Sequence, residues 1–188
     1  MLIASKGTER IKRMKLRKIV LLLTFLIGIV MVIVWFYPYK QMIILEEVRS
    51  EQPKAYYLPL HENRNFQIHY IHSIHLSNVK EQYRITDNGK LRFEFMQYED
   101  VAIGLPGYAE EGEALQVEDG VYTLTFENRV IDSFILYVGR VNTDLFLRYE
   151  QQDYHLKEFL QKGHSYEFHV AKVSNYKMFK GVRLNGKQ

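Results

Sequence analysis

Three histidines at three-residue spacing, His69, His72 and His75, are the first residues in this chain whose type invites chemistry. On a helix that spacing would gather three imidazoles on one side, an arrangement suited to zinc. The segment alternates like a strand, so His72 faces away from His69 and His75, and no acid or cysteine stands at ligand spacing. No metal is expected. Adjacent His72 and Ser73 point to opposite faces for the same reason, which separates a serine nucleophile from its base. No Gly-x-Ser-x-Gly elbow occurs, and the absence of cysteine excludes thiol chemistry. Neither an enzyme nor a cofactor site is expected.

The loop from Ala102 to Tyr108 holds Gly104, Leu105, Pro106 and Gly107, so two glycines and a proline restrict its backbone within four residues. Such a loop either presents groups to a ligand or partner or serves as a tight crossover packed on a sheet. The acids Glu99, Asp100, Glu110, Glu111 and Glu113 around it read as a solvated face, and most of the 14 tyrosines as half-buried strand residues.

The elements that must position these groups are short alternating runs divided by turn residues, which favours a mainly β fold: one antiparallel β-sandwich or barrel-like domain. Strands are predicted over Met42–Val48, Lys54–Leu60, Phe66–Ile74, Val79–Thr86 and Lys90–Tyr98. Further strands follow near Ala114–Val117, Val121–Glu127, Val130–Val138, Thr143–Tyr149 and His164–Val173, with a short helix over Tyr154–Gln161 ended by Gly163. In the hairpin around His75–Asn78, antiparallel register pairs Ile74 with Val79, His72 with Glu81, Tyr70 with Tyr83 and Ile68 with Ile85, all on one face. His72 and Glu81 then form one structural polar pair on an apolar face, each offsetting the desolvation of the other. In the third strand Leu91, Phe93 and Phe95 share a side.

Ahead of the β region lies Ile19–Tyr37, an uncharged apolar run long enough to span about 28 Å as a helix, close to a bilayer's hydrocarbon thickness. Seven Lys and Arg precede it against Glu9 alone, which places the N-terminus in the cytoplasm. The run exceeds the usual signal h-region and ends in Trp35, Phe36 and Tyr37 where a cleaved signal would have small residues, so an uncleaved anchor is expected. The organisation read is a basic cytoplasmic tail, 1–18; a transmembrane helix, 19–37; an extracytoplasmic β domain, 38–175; and a basic C-terminal tail, 176–188, part of it loosely held. The chain carries 25 basic and 22 acidic residues, but 18 basic and 21 acidic remain after the first 18 positions. The outer part therefore has no basic footprint for nucleic acid.

His72-Ser73-Ile74, Glu81, the Gly104-Leu105-Pro106-Gly107 loop and the segment Leu156–Gly163 together resemble the DUF1850 family over roughly Met42 to Val173. The family's alanine-glycine pair before the leucine stands here as Ile103-Gly104. The resemblance implies a small extracytoplasmic protein of unknown activity, associated through gene neighbourhood with tripartite ATP-independent periplasmic (TRAP) transporters that use TAXI-type solute-binding proteins. It carries over no catalytic residue. The expected role is an accessory or interaction protein of a solute transporter, touching the permease or its binding protein, in a bacterial cytoplasmic membrane with the C-terminal domain outside. The alternative is a small-ligand binding module. Contact residues under either reading are Ser73, Gly104, Leu105, Pro106, Gly107 and Tyr108. A cleft with converging polar groups favours ligand binding, and a flat apolar patch favours a protein partner.

Overall fold

The computed structural model describes residues 2–72, 76–99, 101 and 105–185. Helix α1, Leu2–Phe36, runs unbroken through the basic tail and the apolar run. Its Met14–Phe36 part is long and apolar enough to cross a membrane, and its side chains are exposed throughout. At 1.5 Å per residue those 23 residues reach about 34 Å.

Among the described residues, thirteen strands and two short helices follow in chain order: β1 Lys40–Glu47, β2 Ala55–Pro59, β3 Asn65–Ile71, β4 Asn78–Ile85, β5 Leu91–Tyr98, β6 Glu113–Glu118, β7 Val121–Phe126, β8 Val130–Ile131, β9 Ser133–Tyr137, β10 Leu145–Tyr149, β11 Gln152–His155, α2 Leu156–Phe159, β12 Ser165–Val173, α3 Asn175–Lys180 and β13 Val182–Arg183. One sheet is ordered β13-β2-β1-β12-β9 and the other β11-β10-β3-β4-β5-β7-β6, with β8 beside β5. Alternation along the strands sends one series of side chains into a shared core, where Ile43, Leu45 and Phe168 of the smaller sheet meet Phe66, Ile68 and Leu147 of the larger. Rings dominate it: Phe168 stacks on Phe66 and Phe134 at 4.8 Å each, and Tyr83 stacks on Phe66, Phe93 and Phe134 at 4.6–5.1 Å.

Several local expectations change, and the strand expected over Val130–Val138 divides into β8, paired with β5, and β9, paired with β12 in the other sheet. Tyr83 pairs with Phe93 but Gln82 with Phe95, so a bulge at Glu94 turns Phe95 away from Leu91 and Phe93 and brings Met96 and Tyr98 inward. The helix expected over 154–161 is the four residues of α2, because Tyr154 and His155 instead pair with Leu147 and Phe146 on β10. Residues 176–185 are part of the fold. Gly181 passes so close over Tyr57 that an added Cβ would lie 2.1 Å from its ring, and this approach lets β13 pair in parallel with β2 and bury Leu184 in the core.

Candidate functional site

The β3–β4 hairpin presents the expected face in a different register. Phe66 lies opposite Tyr83, Ile68 opposite Glu81 and Tyr70 opposite Val79, four residues from the expected alignment, and Glu81 does not face His72. The expected alignment would have set Phe66 against Asp87 in the following turn. The observed one lays its ring parallel to Tyr83 at 5.1 Å and continues the stack to Phe168 in the opposite sheet, so packing between the sheets selects the register. Because the shift is even, the same side chains still face inward.

Glu81 therefore finds its partners elsewhere. Its carboxylate accepts hydrogen bonds from Tyr83 Oη at 2.8 Å and Tyr70 Oη at 3.2 Å. Burial pushes the Glu81 pKa above the ordinary carboxylate value, and the two phenol hydrogen bonds and Arg129 pull it back only in part. Both phenols are held protonated well past the usual tyrosine range, first by burial and then by the neighbouring carboxylate.

This group lies in a cleft of about 640 Å³ between the hairpin and β9, the end strand of the smaller sheet. Ile68, Tyr83 and Leu145 are buried in its floor, Phe134 and Leu136 form a wall, and His72 lines it immediately after β3. At the open side stand Tyr137, Arg140 and Asp144, all exposed. Lys157, from α2, donates to the carbonyls of Val141 at 2.8 Å and Thr143 at 2.5 Å and to Thr143 Oγ1 at 3.2 Å, which ties down the 139–144 connection. Burial and the nearby Lys162 lower its pKa. The Arg140 side chain crosses Gly163 closely enough that a Cβ there would sit 2.6 Å from Nε. The result is an aromatic and aliphatic hollow with a carboxyl and two phenols inside it and the exposed pair Arg140 and Asp144 at its open side. It suits a small molecule that offers a hydrogen-bond donor inward and an anionic group toward Arg140.

The other expected contact residues form a separate place. Leu105 is buried in the main core, and Tyr98 Oη donates to the Pro106 carbonyl, so this stretch plugs into the core beside β5. Pro106, Gly107 and the 70% exposed Tyr108 border a hollow of about 540 Å³ with Phe93, Phe126 and Arg129, and none of its lining residues is shared with the Glu81 cleft. Ser73 and Gly104 lie outside the described residues. His69 points away from the core series, its ring nitrogen 3.0 Å from Gln67 Oε1 and its ring against Phe146. Among the described residues no group of three His, Cys, Asp or Glu is placed to hold a metal ion.

Tyr70, Tyr83, Phe134 and Lys157 were not among the expected site residues. The tyrosines carried a signal, since Tyr83 follows Glu81 by two positions and period two puts them side by side. Nothing in the local pattern joins Phe134 or Lys157 to them.

Residues 66–156 match the family model of DUF1850, a domain of unknown function. The match begins at β3 and ends at the first residue of α2, so it contains Glu81, both tyrosines and the plug, while β1, β2 and β12 lie beyond it. Neither curated proteins nor solved structures yield a match.

Proposed function

We propose that this chain is a membrane-anchored module on the outer side of a bacterial cytoplasmic membrane that binds a small ligand in the cleft between β9 and the β3–β4 hairpin, as a non-enzymatic accessory to a solute transporter. The observation that carries the binding reading is Glu81 held by Tyr70 and Tyr83 inside a cleft whose open side carries Arg140 and Asp144. These groups fit a small zwitterion such as an amino acid, with its ammonium toward Glu81, its anionic group toward Arg140 and its apolar part against the rings. Anchoring is supported by the exposed apolar length of α1, and the inward N-terminus by the seven basic residues before its apolar part. The transporter context rests on the resemblance to DUF1850 alone.

The test is thermal unfolding of the detergent-solubilised full chain against a panel of amino acids and organic acids, with native mass spectrometry of protein extracted from membranes. A concentration-dependent rise in melting temperature, lost in Tyr70→Phe and Glu81→Gln while both variants stay folded, is the expected result. A uniformly flat panel with only the unliganded mass detected would overturn the binding reading.

A further inference from the structure

Helix α3 divides its short surface three ways. Met178 packs on the outer face of the smaller sheet with Met42, Ile44, Tyr57 and Val173. Tyr176 and Phe179, three apart and so on one side, turn to the end of α1, with Tyr176 5.1 Å from Phe36 and Phe179 6.4 Å from Trp35. Lys177 and Lys180 are exposed. Asn175 fastens the junction, donating from Nδ2 to the Val34 carbonyl at 2.9 Å, with its Oδ1 accepting from Tyr39 Oη at 3.2 Å. Ser174 caps the helix by accepting from the Lys177 N–H.

Phe179 remains 79% exposed although it touches Trp35, and Trp35, Phe36, Tyr37 and Tyr39 around it are exposed as well. A cluster of open aromatic rings is costly in water. It is continuous with the apolar part of α1, at the level where Trp and Tyr favour a bilayer interface. The Lys180 ammonium lies 4.7 Å from the Tyr176 ring and that of Lys40 lies 5.4 Å from Tyr39, so cations and rings alternate around this end as headgroups and acyl boundary do.

We infer that α3 and the aromatic end of α1 form one membrane foot, in which Phe179 enters the bilayer interface and Lys177 and Lys180 contact anionic lipid headgroups. The inference rests on the anchored reading of α1. It goes beyond that reading, because a C-terminal element of the domain then touches lipid and fixes the domain's attitude to the surface.

The chain contains no cysteine and one tryptophan, so each probe position is unique. Full-length Phe179→Cys and Val117→Cys, each carrying an environment-sensitive fluorophore, are reconstituted in phosphatidylcholine vesicles with and without phosphatidylglycerol, and quenched by brominated lipid or by aqueous iodide. Val117, exposed on β6, is the control. Expected is severalfold stronger lipid quenching at 179 than at 117, the reverse for iodide, and an increase at 179 with phosphatidylglycerol that Lys177→Glu/Lys180→Glu abolishes. Trp35 emission separates the two ideas. If brominated lipid quenches Trp35 while position 179 is as open to iodide as position 117, the foot is wrong and the anchor stands. If Trp35 is not quenched, both fall. Lipid quenching at 179 that ignores both lipid charge and the lysine variant overturns the headgroup contact.

Discussion

The two faces of the β3–β4–β5 sheet solve the problem of polar residues in opposite ways. On the outer face they satisfy one another across the strands: Gln67 donates to Gln82 at 2.8 Å, Lys80 to Gln97 at 3.2 Å, and Gln97 to Thr123 at 3.2 Å. On the inner face a single carboxyl is enclosed by rings and accepts from two phenols. The outer ladder satisfies even the buried Gln82 by side-chain pairing and needs no ligand to explain it. The inner carboxyl is costly to desolvate, and a protein that needed only stability could fill the space with a hydrocarbon. On the reading proposed above, concentrating the desolvation at one point makes the inner face the ligand side, whereas the pairing along the outer face is structural.

The largest expected effect breaks the inner face outright. Phe168→Ala removes the ring between Phe66 and Phe134 and should lower stability by about 3–5 kcal/mol in urea unfolding. A loss under about 1 kcal/mol would show that the stack does not couple the sheets. Tyr83→Phe is subtler, because it keeps the ring and deletes one donor to Glu81. It should cost about 1–3 kcal/mol at neutral pH, as expected for a buried charged acceptor losing a partner, and an unchanged urea midpoint would contradict that role.

The pH dependence sharpens the contrast further. Because folding raises the Glu81 pKa, the folded chain binds this proton more tightly than the unfolded chain does. The resulting stabilisation is complete below the unfolded value near 4.5 and disappears as pH rises through the folded value. The stability difference between the parent chain and Glu81→Gln should therefore shift against the parent as pH is raised from about 4 to neutrality. A difference that is flat, or that moves the other way, would remove Glu81 as a desolvated acid. Smallest of all is Lys80→Ala on the outer ladder, which should stay within about 0.5 kcal/mol by the same unfolding measurement.

What could be read from the residues followed their periodicity. Parity along Phe66–Tyr70 and Val79–Ile85 is a local property, and it placed the correct side chains inward even though the register was four residues away. Register depended on Phe168, about 100 positions downstream, and no pattern within the hairpin contains that ring. The bulge at Glu94 was equally hidden, since Leu91, Phe93 and Phe95 look like uninterrupted alternation until the pairing with Gln82 and Tyr83 is known. The C-terminal segment looked loose because its basic residues dominate the composition, while its attachments are single contacts: Met178 on a sheet, Gly181 over a ring and Leu184 in the core. The loop around Pro106 was singled out for its two glycines and its proline. Its buried Leu105 gives it a packing role, and its exposed Tyr108 leaves a surface beside it.

Only Tyr37, Pro38 and Tyr39 lie between α1 and β1, and the Asn175 contacts close that joint from the other side. With the helix in a bilayer, the domain is a rigid lever rather than a load on a leash: a change in the tilt of α1 swings the sandwich, and the mouth of the cleft keeps a set height. A partner in the same membrane then meets it within a thin layer. Such confinement raises effective concentration without adding a single contact, so a weak interface would be enough to keep the two together.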